Sequence, residues 1–268
     1  MLPPTPDADD TDRVDRADFP PGWPEPAAPA AGTSFVADER HRLWKASQAA
    51  RPLLRGWLHA AALPLVAAGG TALTLRVRDR KAKVGLFVFG GGYSAMLAAS
   101  ASYHRLPRSE RQAHWLRRVD HSMIYVAEAA TVTPLAVMLL PAPLSGIVIG
   151  SAWTAAGVGA ALKMTRLNEE RDGGSWLYLA IGWAGVVMAP LVYERGGREA
   201  LAAMAVGGLL YSGGFAVLAT QRPDPAPGVF GYHEVWHALV LAAGLAHAEM
   251  LRRIVVGTRV GQPVGSRR

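Results

Sequence analysis

Seven stretches of about 20 apolar residues recur along this chain of 268 residues, and they constrain its fold more than any other feature. A bilayer core about 30 Å thick is crossed by about 20 helical residues, each rising 1.5 Å. Irregular backbone cannot face lipid, so each stretch must be helical. The sequence therefore predicts an all-α polytopic membrane protein with a seven-transmembrane helix bundle. The predicted spans cover residues 56–75, 84–103, 119–140, 142–162, 175–193, 200–220 and 233–251.

Polar segments flank the predicted membrane domain, which covers residues 56–255. The first 30 residues hold eight Pro, seven Asp or Glu and two Arg, which leaves almost nothing to bury. We expect a disordered arm over residues 1–33 for this reason. Residues 34–55 are a candidate amphipathic helix on the membrane surface, with an unstructured polar lead-in as the alternative. Residues 256–268 form a basic tail.

The charge balance is basic, with 28 Lys and Arg against 21 Asp and Glu. Arg residues stand between the apolar stretches and not along one helix face, so we expect them to meet membrane lipids and not nucleic acid. Lys and Arg are almost evenly shared between the two sides of the spans, and their distribution gives no clear orientation. The chain has no cysteine, which excludes disulfides and thiolate metal sites.

Ionisable residues within membrane spans are costly, so they usually mark functional positions. In a bundle of alternating helices, the starts of odd-numbered spans and the ends of even-numbered spans lie at the same membrane face. Four of the predicted spans carry polar residues at this level. They are His59 in span 1, Ser100 and His104 in span 2, Asp120 and His121 in span 3, and His233, Glu234 and His237 in span 7.

The spacing of His233 and His237 is typical of a helical metal site, because residues four apart project from one helix face. His104 offers a third imidazole from span 2. Three imidazoles with an open fourth position are typical of catalytic zinc, which activates water at neutral pH. Asp120 and Ser100 are the candidate catalytic residues of such a site. Nitrogen and oxygen ligands also suit iron, manganese or nickel.

Three segments of the chain resemble the hemolysin III family, which belongs with the progestin and adiponectin receptors and the alkaline ceramidases. The resemblance covers about residues 55–255. It implies Zn²⁺ held by His104, His233 and His237, with Asp120 at the water of the metal and Ser100 beside the site. It also implies seven helices, a cytoplasmic amino terminus, and lipid-amide hydrolysis in the receptor and ceramidase branches. The segments read SASYHRLP, LRRVDHSMIYVAEAATVTP and GYHEVWHALVLAAGLAHAEM.

The chain departs from the pattern of that family at two places. Glu128 stands where an apolar residue is usual, about 12 Å deeper than Asp120 along the helix. We interpret it either as part of a proton path or headgroup contact or, preferably, as a neutral buried carboxyl held by hydrogen bonds. Leu58 replaces a threonine that the family often has beside the histidine. Four residues are candidates to support the metal ligands without binding the ion: His59, Glu128, Glu234 and His247.

These features lead to hypotheses of different classes. The first is an integral membrane zinc hydrolase for a lipid amide or ester, with a substrate that enters laterally from the bilayer. The second is a receptor-like or membrane-homeostasis protein in which zinc only braces the helices. A pore-forming cytolysin is less favoured, since we find no refolding amphipathic segment, and a haem bundle lacks a second histidine pair. Abundant Ala, Gly and Arg favour a bacterial protein, and the family resemblance then implies a location in the cell membrane with a cytoplasmic amino terminus.

Overall fold

The computed structural model describes residues 51–165 and 175–260, together with the single positions 42, 44 and 46. The chain separates after Arg51 into two units, of which the second is Pro52–Arg268. The expected disordered arm lies outside the described residues, as does most of the expected basic tail. Within the candidate surface helix, only the three single positions, which are helical, and residues 51–55 are described.

Helices account for nearly all of the second unit in its described part. Short connections join them, and one 3₁₀ turn, Gly185–Met188, lies between the fifth and sixth. The α-helices are α1 (Trp57–Leu75), α2 (Arg80–Arg105), α3 (Glu110–Leu139), α4 (Ala142–Met164), α5 (Ser175–Ala184), α6 (Ala189–Thr220) and α7 (Tyr232–Val260).

Five helical stretches in the described part of the chain are long and apolar enough to cross a membrane. They are α1, α2, α3, α4 and the stretch Tyr178–Thr220, which includes α6. The expected fold class, a helical membrane protein, is confirmed. Helix α7 is not among the five, so the count of seven crossings stays a prediction.

The stretch from Tyr178 to Thr220 consists of two antiparallel segments. Gly197 has φ 73° and ψ −172°, a backbone conformation that interrupts the helix and that glycine adopts readily. Trp183 Nε1 donates a hydrogen bond of 3.1 Å to Ser212 Oγ, across 29 residues. A continuous helix would separate these two residues by about 44 Å, so the chain reverses direction near Gly197. The reversal lies between the predicted fifth and sixth spans.

Polar caps begin α2 and α3 outside the apolar stretches. The Ala82 N–H donates to Asp79 Oδ1 at 2.7 Å, and the Gln112 N–H donates to Ser109 Oγ at 3.2 Å. Such caps satisfy backbone donors that have no partner in the first turn of a helix. Helix α3 begins at Glu110, nine residues before the predicted start of the third span at residue 119, so the connection between the second and third spans is shorter than expected. The apolar pattern marked only the part of α3 suited to lipid, and its first turns are polar.

Helices α1 to α4 pack in sequence order and α6 packs against α7, whereas α5 contacts α3 and α6; α7 also packs against α1, which closes the bundle. A large apolar core joins α2, α3, α6 and α7, and a smaller one lies around Leu97 and Val240, closer to the predicted histidine cluster. Helices α6 and α7 approach closely, because His247 packs against Gly207 and Trp236 against Gly214. Small residues allow this kind of approach between helices in a membrane.

Candidate metal centre

The two histidines of the predicted pair lie in the first two turns of α7. The Tyr232 N–H donates to Asp224 Oδ1 at 3.0 Å, and the Gly231 N–H donates to Glu234 Oε2 at 2.8 Å. These carboxylates satisfy backbone donors at the start of the helix and fix its first turn. The ring centroids of His233 and His237 are 4.6 Å apart, so the helix presents both imidazoles to one place.

His104 lies in the last turn of α2 and faces this pair. Its Nε2 is 3.2 Å from Nε2 of His233, and its ring centroid is 5.0 Å from that of His237. Gly56, with φ 76°, lets the chain before α1 pass over His104, where a Cβ atom would lie 2.6 Å from the His104 Cβ. The structure thus brings the three predicted ligands together, with one nitrogen of each within 4.8 Å of the others.

This group of three imidazoles could hold a metal ion. Zinc binds imidazole nitrogen at about 2.0–2.1 Å, so two nitrogens of a tetrahedral site are about 3.3 Å apart. The separation of 3.2 Å between the His104 and His233 nitrogens fits that geometry. His237 is buried, and its Nδ1 makes no hydrogen bond, although a buried polar atom normally has a partner. The donor set and the burial therefore fit a metal ion.

Ser100 and Asp120 lie beside the group without belonging to it. Ser100 is one turn before His104 on the same face of α2, and it is buried. The Asp120 carboxylate, which comes from α3, accepts a hydrogen bond from the Ser100 hydroxyl. The carboxylate is thereby paired with a residue that lies one helical turn from His104 on α2.

His59 packs face to face on His237, with ring centroids 4.0 Å apart and planes inclined by 18°. It comes from α1 and is buried, but it is not one of the three residues of the group. This contact agrees with a supporting role and places α1 directly against the ring of a candidate ligand.

Arg55 is a residue of this region that the sequence analysis missed. Its Nε donates to Oε1 of the fully buried Glu234 at 2.5 Å, and its guanidinium is close enough to His237 to interact electrostatically. The segment that carries Arg55 is fixed by backbone hydrogen bonds from Leu53 to Gly228 and from Leu54 to Val229. Arg55 and Glu234 are 179 residues apart, and no local pattern in the sequence indicates that they form a pair.

Glu128 and His247 lie deeper in the bundle, beside Tyr211 of α6. The His247 ring centroid is 5.7 Å from that of Tyr211, and the Glu128 carboxyl is near enough to Tyr211 to interact electrostatically. One carboxylate oxygen of Glu128, Oε2, is buried without a hydrogen bond. His247 follows His237 by ten residues, about 15 Å along α7. These two residues therefore form a polar region apart from the three imidazoles.

The fold and the site together define a class of protein, a multi-pass helical membrane protein with three imidazoles that could hold a metal ion. Comparison with known families identifies the family within this class. The model of the family described as Haemolysin-III related matches residues 47–248. The chain therefore belongs to this family, and the resemblance seen in the sequence is confirmed.

Named relatives are similar to this chain over parts of their length. "Hemolysin-3" of Bacillus cereus is 29% identical over 123 residues, which are 46% of this chain and 53% of that protein. "Hemolysin-3 homolog" of Bacillus subtilis (strain 168) is 24% identical over 163 residues, 61% of this chain and 73% of that protein. "Heptahelical transmembrane protein ADIPOR1" of Oryza sativa subsp. japonica is 33% identical over 177 residues, 60% of this chain and 47% of that protein. The chain thus spans about half the length of the first and third of these proteins.

Proposed function

We propose that this protein is a zinc-dependent membrane hydrolase that cleaves an amide or ester bond of a lipid. One observation carries the proposal: His104, His233 and His237 form a single group, and the Asp120 carboxylate is hydrogen-bonded to Ser100, one turn before His104 on α2. Three histidines leave a tetrahedral ion one position for water or substrate. A carboxylate next to that position is the usual companion of a hydrolytic metal site.

Each residue at the metal centre has its own role in the proposed reaction. Bound zinc would supply a Lewis acid and a water molecule acidic enough to act near neutral pH. Asp120 accepts the proton of the attacking water and returns it to the leaving amine or alcohol. The Ser100 hydroxyl, a predicted catalytic group, donates to Asp120 and thereby orients its carboxylate. The His59 ring, stacked on His237, keeps that imidazole in place.

Metal content and turnover, measured on the same purified variants, test the proposal. We expect about one zinc per chain in the wild type, and its loss in His104→Ala and His237→Ala. His114→Ala is the matched control, because this exposed histidine of α3 lies outside the group and should leave zinc in place. Asp120→Asn should keep zinc but lower turnover of a long-chain acyl amide in proteoliposomes by about 100-fold or more. Zinc retained in His237→Ala, or turnover retained in Asp120→Asn, would contradict the proposal.

A second candidate function is a receptor-like protein in which zinc only braces the bundle. The observation that favours it is mechanical, because the three histidines join α2 to α7, and the Arg55–Glu234 ion pair joins the segment before α1 to α7 as well. The fourth position of the metal distinguishes the two functions. In cobalt-substituted protein, a change of the visible spectrum on addition of azide indicates an exchangeable position and favours hydrolysis. An unchanged spectrum favours a brace.

The expected location completes the proposal. We infer that seven helical segments cross the cell membrane of a bacterium, with the amino terminus and the metal centre towards the cytoplasm. The reversal at Gly197 supports this count, because it divides the stretch Tyr178–Thr220 into two antiparallel segments. Cysteine scanning suits this chain, which has no cysteine of its own. A cysteine placed at Ser109 should react with an impermeant maleimide only in inverted vesicles.

A further inference from the structure

A groove between α1 and α2 runs beside the metal centre on the outer side of the bundle. It is open along one side and has a volume of about 280 Å³. Its walls are apolar and small, formed by Ala60 and Leu63 of α1 and by Ala98 and Ala101 of α2. Arg105 lines one end of the groove together with Ser102. The groove therefore combines an apolar channel with a single cationic end.

The cationic end is held in position by an aromatic ring. The Arg105 guanidinium carbon lies 4.0 Å from the ring centroid of Trp57, the first residue of α1. Trp57 is 49% exposed, and tryptophan at the end of a membrane helix is typical of the headgroup level. No acidic side chain forms an ion pair with Arg105 among the residues that the structure describes. Its guanidinium is thus fixed in place and available for an anion.

The dimensions of the groove fit one end of a lipid. Seven residues of α2 separate Ala98 from Arg105, which corresponds to about 10 Å of depth, or about a third of the hydrocarbon core. A phosphate at Arg105 would place the upper part of an acyl chain against Ala98 and Ala101. Guanidinium binds phosphate through two parallel hydrogen bonds and is weakly hydrated, so it suits such an anion at the membrane surface.

We propose that the groove between α1 and α2 is a binding site for an anionic phospholipid, with the lipid phosphate on Arg105. A zwitterionic lipid would add a cationic group, and the groove lining offers no carboxylate to receive it. The net charge of the groove therefore favours lipids such as phosphatidylglycerol. The site goes beyond the proposed hydrolysis and does not depend on it, because none of its lining residues belongs to the three histidines.

The bound lipid would lie against the helices that carry the metal centre. Ala60 follows His59, Ala101 follows Ser100, and Arg105 follows His104 in the chain. Lipid in the groove would thereby fix the spacing of α1 and α2 at the level where their inner faces meet α7. An anionic membrane is thus expected to stabilise this end of the bundle.

Native mass spectrometry of the full-length purified protein, titrated with phosphatidylglycerol or phosphatidylcholine, tests the proposal. We expect the wild type to prefer phosphatidylglycerol and Arg105→Gln to lose about fivefold to tenfold in affinity for it, which removes the preference. Arg108→Gln is the matched control, because this arginine is also exposed and lies three residues further on, but does not line the groove. Ala98→Phe, which fills the channel, should weaken the binding of both lipids.

The outcomes separate this site from diffuse attraction and from the proposed hydrolysis. Equal losses in Arg105→Gln and Arg108→Gln would overturn the proposal in favour of general surface charge. Unchanged binding in Ala98→Phe, with melting and zinc content as in the wild type, would show that no acyl chain enters the groove and would also overturn it. His237→Ala should keep the lipid preference while losing zinc. If the protein does not hydrolyse lipids, the proposed lipid site is unaffected. If the lipid site is overturned, the proposed hydrolysis is equally unaffected.

Discussion

At the scale of single residues, the proposed chemistry depends on one hydroxyl. Ser100 is buried, and its hydroxyl donates to the half-buried carboxylate of Asp120. A hydrogen bond to a charged group contributes roughly 1.5–3 kcal/mol, so its loss leaves the carboxylate free to turn away from the metal centre. Ser100→Ala should lower kcat by about 10-fold to 100-fold with KM and zinc content unchanged. A change confined to KM would assign Ser100 to substrate binding.

Substitution of Glu128 should improve the protein and not impair it, because its buried side chain destabilises the folded state. Its Oε2 atom is buried without a hydrogen bond, and such an atom costs about 1–3 kcal/mol. Glu128→Leu replaces the carboxyl by an apolar group of similar size and should raise the melting temperature by a few degrees in detergent. Glu128→Gln keeps a polar group in the same place and should gain less. A clear fall in melting temperature for Glu128→Leu would instead assign the carboxyl to a required contact within the bundle.

At the scale of elements, the first turn of α7 is held by Glu234. Its two oxygens accept from the Gly231 N–H and from Arg55 Nε, and the side chain is fully buried. Glu234→Gln would leave the Arg55 guanidinium, itself only 17% exposed, without its counter-charge. Breaking a buried pair in this way costs roughly 3 kcal/mol. We expect a lower melting temperature and weaker zinc binding, because His233 is the neighbouring residue. Glu249→Gln is the control on the same helix and should have little effect, because this side chain is 39% exposed and its ion pairs with Arg252 and Arg253 lie at the surface.

The contact between α2 and α3 depends on a glycine. A Cβ atom at Gly85 would lie 2.8 Å from the Cα of Pro134, an atom of the backbone that cannot move aside. Gly85→Ala should therefore destabilise the protein by about 1–3 kcal/mol. Gly91→Ala is the matched control on the same helix, because a Cβ atom there would meet nothing within 4 Å, and alanine favours the helix. Equal melting temperatures for the two variants would contradict the packing of α2 on α3.

At the scale of the whole molecule, span counting from apolar length could predict which helix ends share one membrane face. This was enough to place His104 at the same membrane level as His233 and His237, because alternating helices bring these ends to one face, while the contact between the rings was found only in the structure. Contacts between side chains far apart in sequence, such as Arg55 with Glu234 and His59 with His237, could not be predicted this way. They depend on the rotation of each helix about its axis, and a near-uniform apolar surface carries little information about rotation. The first polar turns of α3 were missed for a related reason, since apolar length records only the part within lipid.

Removal of the metal should loosen the end of the bundle where α2 and α7 meet. A metal ion whose free concentration is 100 times its Kd stabilises the folded protein by about 2.7 kcal/mol, because it binds only where the three imidazoles are assembled. For a chain of this size, chelation should therefore lower the melting temperature by about 5–10 °C. His237→Ala lacks one ligand, so it should melt at the lower temperature from the start and respond little to the chelator. Hydrogen exchange should rise in the last turn of α2 and the first turns of α7 but not in α4, which lacks any of the three histidines. Equal shifts for wild type and His237→Ala would mean that the chelator acts elsewhere and that the imidazoles do not hold the stabilising ion.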